Sequence, residues 1–150
     1  MAANIILVLV FSLLATTYAG IPQRNLIQLK HMINHKGFSS LDYIGYGCWC
    51  GLGNYGSKVF DSTDQCCQLH DQCYDRISGG FFGCSPKLVT YDWTGLSNGG
   101  ILCTDRENTC DRKACDCDRL AVECYAQYRS TYNPNFLDGK YKGNKNIACK

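Results

Sequence analysis

The first run of apolar positions with a helical period lies near the start of the chain, in "NLIQLKHMINHK". Leu26, Leu29 and Ile33 stand at positions i, i+3 and i+7 and therefore share one face of a predicted helix. Gly37 is its predicted end, because glycine readily adopts the backbone conformation that stops a helix. A single apolar face on an otherwise polar helix indicates an element that packs against a core.

Two longer helices and a hairpin are predicted further along the chain. Asp64 is the predicted N-cap of a second helix that ends near Ile77, and a third helix spans roughly residues 107–128. Between them, "KLVTYDW" and "ILCT" are short strand-like runs around "TGLSNGG", a pattern typical of a two-stranded hairpin. A glycine-rich loop over residues 45–57 separates the first two helices. The pattern therefore predicts a mainly helical chain with a small β-hairpin.

The first twenty residues have a different pattern, a continuous apolar run from Ile5 to Leu14 that is followed by small residues. This run is too short to span a bilayer as a mature helix. Thr17 and Ala19 suit the positions that signal peptidase prefers before its cut. We therefore predict a signal peptide over residues 1–19 and a secreted, extracellular protein.

Arg24 stands alone between this segment and the first helix. A lone basic residue before a structured segment predicts a processing site, and residues 20–24 are then a propeptide. The alternative is an ordinary unstructured N-terminus. The remainder, residues 25–150, has the length of one domain.

Composition adds twelve cysteines, and an even number of them in a small secreted chain indicates a disulfide framework. Oxidised cysteine is not a thiolate, which argues against a zinc site. The net charge of +2 at pH 7 argues against nucleic acid as a partner. The last eleven residues contain four lysines, from which we predict a solvated, positively charged tail.

The cysteine spacing in the two long helices is the same. Cys66 and Cys73 are seven residues apart in the second helix, as are Cys117 and Cys124 in the third. Seven residues make about two turns, so each pair lies on one face of its helix. Antiparallel packing would join Cys66 to Cys124 and Cys73 to Cys117, although spacing alone does not select one pairing from the many possible.

The segment "CCQLHDQCYD", residues 66–75, is the main candidate for chemistry. His70 and Asp71 point about 100° apart on a helix, so they can flank one site without serving the same atom. Asp118, on the facing helix, could accept a hydrogen bond from one nitrogen of His70, which leaves the other nitrogen ready to take a proton. Since the cysteines are paired, we predict that the proton comes from water, unless a serine supplies it.

Two other motifs suggest different chemistries. "GLSNG", residues 95–99, matches the G-x-S-x-G turn of α/β hydrolases, but that motif requires a buried strand before it and a helix after it. Here it lies between two short strand-like runs, so we interpret it as a hairpin turn. His31 and His35 have a spacing that could bind zinc on a helix, but the glutamate of H-E-x-x-H and an evident third ligand are missing. We interpret both as surface histidines.

The loop "CWCGLGNYG" has glycines that let the backbone turn so that several carbonyl groups converge. Converging carbonyls and one carboxylate, which Asp71 can supply, suit calcium. The alternative is a loop that bends only to admit Cys48 and Cys50.

Taken together, "YGCWCGLG", "DQCCQLHDQCYD" and "CDCDRLAVEC" resemble secreted phospholipase A2 over the span from Asn25 to Cys149. The resemblance implies a mainly α, disulfide-rich phospholipase A2 fold. This fold has an N-terminal helix, a calcium-binding loop, two long antiparallel helices joined by disulfides, and a small β-hairpin. The short connection from Cys84 to Tyr91 is similar to that of venom-type and invertebrate members rather than the pancreatic form.

The resemblance also implies hydrolysis of the sn-2 ester of glycerophospholipids at a membrane or micelle surface. His70 would be the general base that activates water, and Asp118 would orient it. One calcium ion would be bound by Asp71 and by backbone carbonyls. The implied carbonyl ligands are those of Trp49, Gly51 and Gly53. The implied supporting residues are Tyr74, Tyr91 and Gln28, together with the mature N-terminus.

The same resemblance assigns roles at the surface and in the framework. Leu26, Leu29 and Ile33 would line the acyl-chain channel, unless they are plain core, and Ile27, Leu41 and Trp49 are candidates for touching the membrane. The implied disulfides are Cys48–Cys149, Cys50–Cys67, Cys66–Cys124, Cys73–Cys117, Cys84–Cys110 and Cys103–Cys115.

Two departures from the family pattern stand out. His35 occupies a position where many members have a cysteine, and the usual partner near Leu96 or Ser97 is absent too, so the first helix is less tightly tied. Asn54 replaces a glycine after the last implied calcium ligand, and asparagine is among the residues that best tolerate a positive φ.

An alternative function is a non-catalytic secreted ligand that binds a receptor or channel on the same scaffold. Such relatives typically lose the residue at the position of His70 or Asp71, and both are present here. We therefore favour the enzyme, which could also act as a toxin.

Overall fold

The computed structural model describes residues 24–51, 53, 55–79 and 83–150. The predicted signal peptide and residues 20–23 of the predicted propeptide lie outside these residues. In the described part of the chain, no helix is both long and apolar enough to cross a membrane.

Helices dominate the described chain, as the apolar pattern predicts. The α-helices are α1 (Arg24–His35), α2 (Ser62–Ile77), α3 (Cys110–Gln127) and α4 (Lys145–Ala148). Short 3₁₀ turns lie at Ser40–Tyr43, Arg129–Thr131 and Pro134–Phe136. Strands β1 (Trp93–Gly95) and β2 (Ile101–Cys103) form an antiparallel pair with Thr94 opposite Leu102. The mainly α phospholipase A2 fold is confirmed.

The start of α2 differs from the prediction. The helix begins at Ser62, and its N-cap is Asp61, whose side chain accepts a hydrogen bond from the backbone N–H of Asp64. Asp64 lies within the first turn, so its assignment as N-cap was wrong. The end of α1 agrees with the prediction, since Gly37 follows it with a φ of 81°.

The core lies where α1 and the 3₁₀ turns pack against α2 and α3. Met32 and Val122 are fully buried in it, and the rings of Tyr43 and Tyr125 stack with centroids 4.1 Å apart. Small side chains such as Ala121 on α3 let the two long helices approach closely.

Disulfides hold α2 and α3 together at two levels. The structure joins Cys66 to Cys124 and Cys73 to Cys117, which fixes the two helices as an antiparallel pair. The other four bonds are Cys48–Cys149, Cys50–Cys67, Cys84–Cys110 and Cys103–Cys115. These are the six pairs that the family resemblance implies, and no cysteine is free in the described chain.

The β-hairpin contains the G-x-S-x-G motif in its turn. The backbone N–H of Leu96 donates to the carbonyl of Gly100, and that of Gly99 donates to the carbonyl of Leu96, each at 2.9 Å. The motif is therefore a hairpin turn, as predicted, and not a nucleophile elbow.

His35, the last residue of α1, contacts this hairpin. Its Nε2 donates to the Gly100 carbonyl at 3.1 Å, and its ring stands edge-on to Trp93 with centroids 5.8 Å apart. His31 is exposed. Among the described residues, no group of three His, Cys, Asp or Glu side chains could hold a metal ion. His35 thus provides a non-covalent contact between the end of α1 and the hairpin.

The C-terminal lysines do not form a uniformly solvated tail. Lys140, Lys142 and Lys150 are exposed, but Lys145 is buried in α4 and pairs with Asp138 at 2.7 Å. The prediction was wrong for Lys145 because its burial depends on packing against Gly45, which is one hundred residues away, as well as on Asp138, and no local pattern signals this contact.

Candidate active site

His70 and Asp118 face each other between the two disulfides that join α2 and α3. His70 Nε2 lies 2.5 Å from Asp118 Oδ1. Asp118 is fully buried, whereas the side chain of His70 is 12 % exposed. Since a carboxylate accepts, Nε2 carries the hydrogen, and neutral His70 then has its lone pair on Nδ1. Nδ1 makes no hydrogen bond within the described part of the chain, so it can accept a proton.

Two tyrosines complete the surroundings of Asp118. Tyr74 donates its hydroxyl to Asp118 Oδ1 at 2.7 Å, and Tyr91 donates to Oδ2. Burial, and next the charge of Asp118, raise the pKa of both hydroxyls, so both stay protonated as donors. Hydrogen bonds to a charged acceptor stabilise the charge, which explains how an ionised carboxylate can be held in this buried position.

Helix α1 is joined to this network by two amide side chains. Gln28 forms a two-way contact with the backbone of Tyr91, donating to its carbonyl and accepting from its N–H. Asn25 is buried, and its Nδ2 donates to the Tyr74 hydroxyl at 2.8 Å and to the Pro86 carbonyl at 2.5 Å. Sequence reasoning assigned no role to the Asn25 side chain, because its partners are about fifty and sixty residues away.

The glycine-rich loop turns back on itself beside α2. The N–H of Gly45 donates to the Cys50 carbonyl at 2.9 Å. Gly51 and Gly53 have φ values of 128° and 80°, which favour glycine, and a Cβ on Gly51 would lie 3.1 Å from the Gly45 nitrogen. Asn54, the residue that replaces a family glycine, lies outside the described residues.

Among the described residues of this loop, some carbonyls accept a hydrogen bond and others do not. The carbonyl of Cys50 is bonded as above, and that of Cys48 accepts from the N–H of Tyr55 at 2.9 Å. The carbonyls of Trp49, Gly51 and Gly53 accept no hydrogen bond from any described residue. Three carbonyls without a described hydrogen-bond donor are groups that a hard cation such as calcium could use.

Asp64 fixes the loop from the side of α2, a role that the sequence reasoning missed. Its fully buried carboxylate accepts from the N–H groups of Cys48 and Trp49 at 2.8 Å and of Phe60 at 2.9 Å. Burial raises its pKa, and these three hydrogen bonds oppose that rise. Gly47 is needed here because a Cβ at that position would lie 2.2 Å from Asp64 Cγ.

Asp71, the predicted carboxylate ligand, lies on α2 beside the glycine-rich loop. It follows Cys67 by four residues on α2, and Cys67 is bonded to Cys50 of the loop, so Asp71 lies on the helix face that carries the loop. Burial is the main cause that raises its pKa. Its carboxylate has no hydrogen bond or ion pair with a described residue. One such carboxylate and the three loop carbonyls are all oxygen donors, the type of ligand that calcium prefers.

The residues predicted to line the channel or to touch the membrane differ in how exposed their side chains are. Ile33 is buried and Leu29 packs against the core, whereas Leu26 is 44 % exposed. Ile27 and Leu41 are exposed as well. Trp49 is partly buried against the core, and its indole N–H donates to the Lys58 carbonyl at 2.9 Å. The predicted roles of these residues in the channel and at the membrane stay predictions.

Comparisons with known proteins agree with the described fold. A family model described as Phospholipase A2 matches residues 26–137. The chain is 45% identical to "Basic phospholipase A2 vipoxin B chain" from Vipera ammodytes meridionalis, over 75% of this chain and 88% of that protein. It is 46% identical to "Basic phospholipase A2 RV-4" from Daboia siamensis, over 75% and 78% of the two chains. It is 42% identical to "Acidic phospholipase A2 PLA-2" from Eristicophis macmahoni, over 79% and 93%.

Proposed function

Because the chain belongs to the phospholipase A2 family and is a phospholipase A2, we propose that His70 and Asp118 catalyse its reaction with one calcium ion. The enzyme then hydrolyses the sn-2 acyl ester of glycerophospholipids to a fatty acid and a lysophospholipid. The observation that carries this proposal is the His70–Asp118 pair, in which Asp118 holds Nε2 and leaves Nδ1 available to take a proton.

His70 acts as general base towards a water molecule in this proposal. Nδ1 removes a proton from the water as its oxygen attacks the ester carbonyl, and the imidazolium that results is stabilised by the Asp118 carboxylate. The same proton then passes to the glycerol oxygen when the acyl bond breaks. A positioned general base contributes about 10² to 10⁴ in rate.

Calcium, when bound by Asp71 and the carbonyls of Trp49, Gly51 and Gly53, would supply positive charge for the negative oxygen of the transition state. The backbone N–H of Gly51, on the same loop, would donate a hydrogen bond to the same negative oxygen. Asp64 holds the loop against α2 through three backbone N–H groups, so the donors are placed before any ligand arrives.

Secretion and action at a lipid surface belong to the same proposal. Residues 1–19 act as the signal peptide and residues 20–24 as the propeptide, which leaves Asn25 as the first mature residue. Leu26, Ile27 and Leu41 are exposed apolar side chains, and such side chains can enter the boundary between lipid headgroups and acyl chains. Leu29 and Ile33 then continue from this surface into the channel for the acyl chain.

The direct test is fatty acid release from phosphatidylcholine vesicles by the processed protein, with calcium and with an excess of chelator. We expect activity that the chelator abolishes and that added calcium restores. Activity that persists in chelator would contradict the calcium role. Absence of activity under both conditions would instead favour a non-catalytic ligand that binds a receptor or channel.

His70→Gln tests the general base, because glutamine can still donate a hydrogen bond to Asp118 but cannot accept a proton at neutral pH. We expect turnover to fall by at least about 10²-fold, with a circular dichroism spectrum like that of the unmodified protein. Retained turnover in folded His70→Gln would refute the assignment of the base.

A further inference from the structure

Lys145 is a buried cation that the proposed reaction does not use. Its side chain is 6% exposed, and its ammonium donates to Asp138 Oδ1 at 2.7 Å and to the carbonyl of Gly45 at 2.8 Å. Burying an ammonium is costly unless it is paired and hydrogen-bonded. The chain has other lysines nearby that remain in solvent, so this one needs a reason for its position.

Gly45 lies at the entrance to the proposed calcium loop. Its carbonyl accepts from both Lys145 and the N–H of Asp138, the latter at 2.8 Å, and its own N–H donates to Cys50. Asp138 also covers Gly45 so closely that a Cβ there would lie 2.3 Å from Asp138 Oδ2. Gly51, one of the proposed ligands, lies close to this backbone, since a Cβ on Gly51 would be 3.1 Å from the Gly45 nitrogen. The ion pair therefore fixes the backbone on which Gly51 rests.

Tyr55 lies at the exit of the same loop and contacts the same ion pair. Its hydroxyl donates to Asp138 Oδ2 at 3.3 Å, and its ring lies below the Lys145 ammonium, 5.5 Å from the ring centroid. Its backbone N–H binds the Cys48 carbonyl inside the loop. The negative charge of Asp138 raises the pKa of the Tyr55 hydroxyl. Lys145 and Asp138 thus join the entrance and the exit of the loop.

We propose that Lys145 is a positioning residue for calcium, because its ion pair with Asp138 holds Gly45 and Tyr55 together and keeps the loop carbonyls in the shape that binds the ion. The inference rests on the proposed calcium site. A loop that is already in its binding shape loses less conformational freedom when the ion binds, and this increases affinity. The positive charge itself has the opposite effect, since a cation near the site repels calcium.

These two effects have opposite signs, so Lys145→Met separates them. Methionine keeps a similar length and apolar stem, and Asp138, whose side chain is 50% exposed, remains solvated. We expect the calcium dissociation constant, measured by isothermal titration calorimetry, to rise by about fivefold or more, a typical coupling between linked sites. If Lys145 acts only as a charge, the constant will fall or stay the same.

Lys142→Met is the control, because Lys142 is exposed on the same C-terminal segment and its removal changes the net charge equally. Its calcium affinity should be unchanged or slightly higher. At saturating calcium, Lys145→Met should recover the kcat of the unmodified enzyme, since neither His70 nor Asp118 is altered. A lasting loss of kcat at saturating calcium would contradict a role limited to loop positioning.

Tyr55→Leu tests the same contact at the exit of the loop. This variant also serves if Lys145→Met does not yield folded protein. It should weaken calcium binding in the same direction, and the double variant should lose less than the product of the two single losses. Independent, multiplicative losses would overturn the proposal. An unmodified protein that binds no calcium would refute the proposed calcium site itself. Normal binding that Lys145→Met leaves unchanged would refute only the role of Lys145.

Discussion

The two tyrosines around Asp118 are predicted to differ in their contribution to stability. Asp118 Oδ1 accepts from both His70 and Tyr74, whereas Oδ2 accepts from Tyr91 alone among the described residues. Tyr91→Phe therefore leaves one oxygen of a fully buried carboxylate without a donor. Tyr74→Phe leaves Oδ1 with the bond from His70, and the group that loses its partner is one neutral N–H of Asn25, which is less costly to leave unpaired than a charged oxygen. Removing the hydroxyl of Tyr91 should be the more costly change.

The size of the difference follows from the value of hydrogen bonds to charged groups. Such bonds contribute about 1.5–3 kcal/mol to stability. The cost of losing one lies near the upper end of this range when the acceptor is buried and has no other donor. We expect Tyr91→Phe to lower the free energy of unfolding by about 2–3 kcal/mol and Tyr74→Phe by about 1–2 kcal/mol. Because the His70–Asp118 bond remains in both variants, kcat should fall by less than about tenfold in each.

The assay is guanidinium unfolding with the disulfides intact, followed by near-ultraviolet circular dichroism. Tyr128→Phe is the control, since the Tyr128 hydroxyl donates to no described residue, and its effect should stay within about 0.5 kcal/mol. Equal losses for Tyr91→Phe and Tyr74→Phe, or a larger loss for Tyr74→Phe, would refute the argument from the separate oxygens of Asp118.

Two further predictions concern residues that hold the network and the loop. Asn25→Asp places a carboxylate oxygen against the Pro86 carbonyl or the Tyr74 oxygen, so kcat should fall by about tenfold and the pH profile of kcat should shift. Asn25→Ser should reduce kcat less. Identical pH profiles for the two variants would contradict this prediction. Burial raises the pKa of Asp64, so its contribution to stability is fully present below its ordinary value of about 4 and is lost as pH rises through the higher folded value. The free energy of unfolding, measured by urea titration, should therefore fall less between pH 4 and neutral pH in Asp64→Asn than in the unmodified protein. An equal fall in the two proteins would show that Asp64 does not cause this pH dependence.

The parts of the structure that sequence could predict are those with local or periodic signals. The two long helices follow from their polar and apolar pattern, and the pairing of Cys66 with Cys124 follows as one option from equal spacing. Asp64 was misassigned because Asp61, three residues earlier, offers the same capping side chain, and the choice depends on the loop that Asp64 binds. No local pattern distinguishes buried Lys145 from its exposed neighbours.

Residues that act across long sequence separations form the other missed group. Asn25 is bound to Tyr74 and Pro86, and His35 to the hairpin turn at Gly100. Each of these contacts exists only after α1 has packed against the rest of the molecule. The sequence shows which side chain can donate a hydrogen bond, but it does not show which acceptor will lie next to it in the folded protein.

Helix α1 differs from α2 and α3 in one respect, because it contains no cysteine and every disulfide lies between Cys48 and Cys149. Its attachment consists of packing and of hydrogen bonds from residues such as Gln28 and His35. Local opening of this helix therefore costs less free energy than global unfolding. On heating, the enzyme would lose activity before its cross-linked frame melts, and it would regain that activity on cooling because the frame remains as a template for the returning helix.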